Sequence, residues 1–137
     1  MHTKKLAAAF AAVLIASTPA LTARVASAAT FPEERPFDQD AFDAAQKAGK
    51  PILVHITASW CTTCAAQKPI IDRLLADPRF KQLDTFNVDF DTQKKLLHEF
   101  GVRMQSTLIV FKGKTEEGRS AGETKPEAIE ALLAKAV

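Results

Sequence analysis

The reading of the fold turns on Pro51-Ile-Leu-Val-His-Ile-Thr57 and, just beyond it, Trp60-Cys61-Thr62-Thr63-Cys64. The first stretch is apolar and β-branched without alternation, the pattern of a strand buried on both faces. Past it, apolar residues return at helical spacing from Cys61 to Leu75 (Cys64, Ile70, Ile71, Leu74, Leu75), and Asp77-Pro78 stops the helix. A buried strand feeding directly into a helix is a building block of an α/β fold. Both cysteines of the chain stand at that junction.

Further elements follow on either side. Thr30 to Pro36 is rich in proline and charge and reads as a leading arm. Asp38 can cap a helix running to about Ala48, with Phe42 and Ala45 on its buried face and Gly49 at the C′ position. Downstream, Phe86 to Phe90 is a second strand, and Gln93 to Phe100 a helix closed by Gly101. Thr107 to Lys112 is a third strand, and Gly113-Lys114 turns it into a fourth around Glu116 to Ser120. Thr124-Lys-Pro-Glu127 has the form of a capping box, opening a last helix that buries Ile129, Leu132 and Leu133. Strands separated by helices are expected to pair in parallel, with the final hairpin adding an antiparallel edge. The expected fold is α/β, with a mixed sheet of about four strands and helices on both faces.

The N-terminal stretch, Met1 to Ala28, reads as an address. Lys4 and Lys5 form a positive start, Leu6 to Ser17 is an uninterrupted apolar run, and Ala26-Ser27-Ala28 offers small residues for cleavage. This is the order of a secretory signal peptide, and the run is short of the ~20 residues that span a bilayer. Residues 1–28 are expected to be the signal and 29–137 a single domain acting outside the cytoplasm, where disulfide chemistry is permitted. The net charge of +2 comes from this leader, whose removal leaves 15 basic against 16 acidic side chains. Charge therefore makes no case for nucleic acid or anionic lipid as a partner. Two cysteines exclude a four-cysteine zinc module, and Ala65 after the pair excludes covalent haem attachment.

Two cysteines three positions apart at the start of a helix can close a reversible disulfide. The unpaired N–H groups and dipole there favour an anion. Such sites lower a thiol pKa from about 8.5 towards the ~3.5–7.5 range, and the thiolate is the species that attacks a disulfide. Cys61 is the expected nucleophile. Cys64, one turn inside, is expected to be less exposed and to resolve the mixed disulfide. Loop closure over three residues stabilises poorly, which argues against a purely structural bridge.

From Pro51 to Val137 the chain resembles the thioredoxin family. Trp60-Cys-Thr-Thr-Cys64 follows the strand, and Pro69 lies five residues after Cys64, where the family has a proline. Gly101-Val-Arg-Met-Gln-Ser-Thr-Leu-Ile-Val-Phe-Lys-Gly113 is similar in spacing to the family's glycine-to-hairpin segment. Asp77-Pro-Arg-Phe80 also resembles the C-terminal domain of the transmembrane disulfide reductase of the bacterial periplasm. The resemblance implies a thiol–disulfide oxidoreductase needing no cofactor and acting on protein disulfides. It also implies substrate contacts at Trp60, Gln105, Ser106 and Thr107.

Three positions depart from the family. Ser106 stands where the family has a cis-proline, so Gln105-Ser106 is either strained or trans. Its N–H and hydroxyl are within possible reach of the cysteine sulfurs. His55 occupies the place of a buried aspartate; it is a candidate proton acceptor for Cys64, or a core histidine with its ring satisfied. Thr62-Thr63 matches neither the Gly-Pro of thioredoxin nor the Pro-His of the strong periplasmic oxidase, within a family range of about −270 to −120 mV.

Functionally, a monomeric periplasmic reductase recharged by a membrane electron donor is expected. The short stretch between Cys64 and Gly101 leaves no room for the large helical insertion of the oxidase. An oxidase or isomerase of the same fold is the alternative within the class. Outside it stands a copper-binding chaperone using Cys61 and Cys64, with Met104 or His55 as a further ligand.

Overall fold

A computed structural model describes residues 33–137; the expected signal peptide lies outside the described residues. Five strands and four helices follow one another in the chain. They are β1 (Arg35–Pro36), α1 (Gln39–Lys47), β2 (Pro51–Thr57), α2 (Thr62–Leu75), β3 (Asp84–Asp89), α3 (Lys94–Glu99), β4 (Thr107–Lys112), β5 (Thr115–Ala121) and α4 (Pro126–Leu133). A single 3-10 turn, Pro78–Phe80, follows α2. The sheet order is β1-β3-β2-β4-β5.

The expected mixed sheet with helices on both faces is present, with one strand more than the sequence suggested. The addition is β1, two residues of the leading arm paired parallel to β3 through Arg35↔Phe86 and Pro36↔Asn87. A second difference concerns β4. It pairs with β2 antiparallel, not parallel (Ile56↔Thr107, Pro51↔Lys112), whereas β2 and β3 pair in parallel as expected. The reason is length. At ~1.5 Å per residue a six-residue helix such as α3 advances only about 9 Å, too little to carry the chain back along the sheet for a parallel crossover. The chain re-enters from the end where β3 finishes, which puts Ser106 beside the end of β2.

Period-2 alternation on β2 distributes the core. Ile52, Val54 and Ile56 pack with Phe42, Ala45, Phe86 and Leu97 on the α1/α3 side. Leu53 packs with Ile71, Leu74, Leu75, Ile129 and Leu133 on the α2/α4 side. His55 shares the parity of Leu53, so the sheet presents it beneath α2.

The helix ends follow the sequence unevenly. Asp38 caps α1 by accepting from the Ala41 N–H at 2.8 Å, and Gly49 closes it at φ +70°. The capping box expected at Thr124–Glu127 is absent. Pro126 takes the first helical position and makes Lys125 the N-cap, with no side-chain cap bond. Instead Glu123 Oε1 accepts from the N–H groups of Thr124 and Lys125 at 2.9 and 2.8 Å. The stripe Ile129, Leu132 and Leu133 is buried as expected.

Candidate active site

The strand-to-helix junction after β2 places Cys61 as the N-cap of α2, in extended conformation at φ −81°, ψ 104°. Cys61 and Cys64 are joined as a disulfide, with Cα atoms 5.3 Å apart. The Cys64 backbone N–H donates to Cys61 Sγ at 3.0 Å, so the cap position supplies a donor aimed at that sulfur. Among the described residues, no acidic side chain lies in the first turn of α2 to oppose a negative charge there.

The expected difference in exposure between the cysteines is not found. Cys61 is 5% exposed and Cys64 6%, because Ala58 and Phe90 pack against both. What opens them is a cavity of about 610 Å³ lined by Cys61, Cys64 and His55 together with Glu34, Lys68 and Asp89. Trp60 stands outside this cavity, 57% exposed; its indole N–H donates to Asp91 at 2.8 Å and its ring meets Phe90 edge-on. Met104 is also exposed.

The loop entering β4 does not line this cavity. Ser106 is trans and carries φ +56°, a left-handed conformation unfavourable for a residue with a Cβ. Its hydroxyl donates to the Gln105 carbonyl at 2.6 Å and that of Thr107 to the Met104 carbonyl at 2.8 Å. The Ser106 hydroxyl is thus spent on its own backbone and does not reach for the sulfurs. Ser106 and Thr107 are buried, and Gln105 is half-buried.

His55 is buried and both of its ring nitrogens are engaged. Nδ1 lies 2.6 Å from Glu34 Oε1, and Nε2 lies 3.0 Å from Gln67 Oε1. Gln67, fully buried one turn after Cys64, donates its amide N–H groups to the carbonyls of Ser106 and Glu123 at 3.1 and 2.9 Å. Sequence reasoning missed both Glu34 and Gln67. Gln67 interrupts the apolar face of α2, and a polar residue in a buried stripe is a readable signal; Glu34 sits in an arm with no periodicity to mark it.

The other charged groups at the cavity have partners. Asp89 Oδ1 accepts from the Thr92 hydroxyl and from the N–H groups of Thr92 and Asp91, which hold its carboxyl below the usual range. Lys68 pairs with Asp72 at 2.8 Å; that bond, with the nearby charges of Glu34 and Glu33, raises its pKa. Among the described residues, no three His, Cys, Asp or Glu side chains converge as a metal site.

This arrangement has known counterparts. The thioredoxin family model matches residues 34–135. The chain belongs to the thioredoxin family. A thioredoxin of Aspergillus fumigatus is 31% identical over 88 residues, covering 64% of this chain and 79% of the relative. An H-type thioredoxin of Fagopyrum esculentum is 30% identical over 95 residues, covering 69% and 80%. Among solved structures, Trxlp from Edwardsiella tarda EIB202 superposes with a TM-score of 0.72 at 42% identity, covering 74% of this chain and 98% of that one. The chain is accordingly a thiol–disulfide oxidoreductase with a redox-active cysteine pair.

Proposed function

We propose that the chain is an exported thioredoxin that reduces protein disulfides in the periplasm through Cys61 and Cys64, and that a membrane electron donor recharges it. The observation that carries the chemistry is the cap geometry: the Cys64 N–H aims at Cys61 Sγ at the start of α2. In the reduced protein this donor and the helix dipole favour a thiolate at Cys61. That thiolate attacks one sulfur of a substrate disulfide, and the other sulfur leaves as a thiolate. Cys64 then attacks Cys61 Sγ, releasing the second substrate thiolate. Two electrons pass to the substrate and the enzyme ends as the disulfide.

Support for the reducing direction is compositional. The segment between α2 and β4 holds only the 3-10 turn, β3 and the six-residue α3, with no inserted helical domain. Support for export is the leader: a basic start, the apolar run from Leu6 to Ser17, and Ala26-Ser27-Ala28. Trp60, exposed beside the disulfide, and the Gln105–Thr107 loop are the proposed substrate contacts, with the chain acting as a monomer.

Turnover in an insulin-reduction assay, followed in Cys61→Ser and Cys64→Ser variants, tests the reading. Cys61→Ser is expected to abolish exchange, while Cys64→Ser accumulates mixed disulfides through Cys61. Absence of turnover in the parent would overturn it. N-terminal sequencing of the protein recovered from the periplasm should begin at about Ala29, and an uncut cytoplasmic chain would overturn the proposed location.

A further inference from the structure

We infer that Glu34, reaching in from the leading arm, takes up the proton that Cys64 must lose, and that His55 is the positioning residue that holds it there. The inference rests on the redox exchange proposed above and deepens it at the resolving step.

Hydrogen-bond direction shows how the pair is held. Both amide hydrogens of Gln67 go to backbone carbonyls, of Ser106 and Glu123, so its Oε1 is what faces His55. An acceptor at 3.0 Å requires a proton on His55 Nε2. On the other side, Nδ1 and Glu34 Oε1 are 2.6 Å apart, a separation two bare acceptors do not adopt. A hydrogen bond therefore ties Oε1 to the ring, and Oε2 is the oxygen of Glu34 left to accept a proton. The Glu34 side chain is 9% exposed and His55 1%. Glu34 keeps Oε2 free of any partner among the described residues, and Glu34, His55 and Cys64 line one cavity.

No other group around this cavity is as well placed. Asp89 is held below the usual carboxylate range by the Thr92 hydroxyl and the N–H groups of Thr92 and Asp91, which makes it a weaker base. Lys68 is a cation held by Asp72, and Arg35 lies over Phe86 and near Asp84. Glu33 is exposed. Cys61 is the sulfur under attack. The step balances without any outside oxidant. The Cys64 sulfur gives its electron pair to Cys61 Sγ, the bond from Cys61 to the substrate sulfur breaks, and the substrate leaves with that pair as thiolate. The Cys64 proton crosses the cavity to Glu34 Oε2, and the resulting carboxylic acid returns it to solvent or to the leaving thiolate.

The test separates attack from resolution. The reduced protein is mixed rapidly with a fluorescent disulfide-bonded peptide, and mixed-disulfide formation and decay are followed from acid to alkaline pH. In Glu34→Gln, attack by Cys61 should stay within about twofold of the parent, while resolution at neutral pH slows about tenfold or more. The deficit should close as pH rises and Cys64 ionises unaided, and Glu34→Asp should recover part of the rate. Equal resolution rates in Glu34→Gln and the parent at every pH would overturn the inference while leaving the exchange reading intact. No attack in the parent would overturn both. Should Glu34→Gln fail to fold, the parent decides: a normal solvent deuterium isotope effect on resolution is expected, and an effect of unity contradicts the proton transfer.

Discussion

The indole N–H of Trp60 donates to the Asp91 carboxylate at 2.8 Å, tying an exposed ring beside the disulfide to the turn after β3. A hydrogen bond to a charged acceptor contributes about 1.5–3 kcal/mol when enclosed and less in the open. Its service here is orientation of the ring more than stability. Asp91→Ala should therefore leave the melting temperature nearly unchanged while lowering kcat/KM for a protein disulfide. Reactivity towards a small aromatic disulfide should be unaffected. Equal losses with both substrates would mean that Trp60 acts on the sulfurs and not on the client.

Ser106 carries a strain that can be relieved. Its φ of +56° costs a residue with a Cβ about 1–2 kcal/mol. Ser106→Gly should stabilise the chain by about 1 kcal/mol in urea unfolding, less the lost hydroxyl bond to Gln105. Ser106→Pro should destabilise by a similar amount or more, because the pyrrolidine ring locks φ at a negative value and cannot follow the left-handed turn. A more stable proline variant would show that the loop can rebuild itself.

Two glycines with positive φ differ in what surrounds them. A Cβ at Gly113 would lie 3.2 Å from the Gln46 carbonyl and from Gly49 Cα, whereas one at Gly122 meets nothing within 4 Å. Both alanine variants bear the left-handed penalty of ~1 kcal/mol, but only Gly113→Ala must also push backbone aside. Its midpoint in urea should be the lower of the two. The reverse order would contradict the packing of the β4–β5 turn against the end of α1.

How much is open to reading depends on whether a residue's role is local. The bounds of β4 at Thr107–Lys112 are legible because an unbroken apolar run between a loop and Gly113 leaves little choice. Helix α1 declares itself through Asp38 and Gly49. The direction of β4 does not, since it depends on whether the chain crosses back along the sheet before the strand begins, and the short α3 does not carry it back. β1 escapes notice because two residues that include a proline carry no alternation. At the site the cysteine pair announces itself by spacing. The ring of His55 is engaged on both sides, and its partners come from 21 residues upstream and 12 downstream, a distance no sequence window spans.

Acid should weaken the fold at its surface carboxylates. Asp77 lies below the ordinary 3.8 chiefly because the Arg79 guanidinium bonds it, Asp89 because the Thr92 hydroxyl does, and Glu116 lies below 4.5 because of Arg119. A carboxyl whose folded pKa is depressed adds stability above its unfolded value, and that stability is lost as pH falls through the folded one. Unfolding free energy should be level above about pH 5 and decline from about pH 4 downward, modestly for each exposed pair. Asp77→Asn should flatten part of that decline. An unchanged profile would mean that the Asp77–Arg79 bond is not kept in solution.

The claim on which the account stands is that reduced Cys61 is a reachable thiolate at the start of α2. Competitive alkylation of the fully reduced parent chain from acid to neutral pH, with each labelled cysteine located by mass, measures this directly. Cys61 should label first, reaching half its maximal rate well below the ~8.5 of a free thiol. Faster labelling of Cys64, or a Cys61 rate that rises only near that ordinary value, would contradict it.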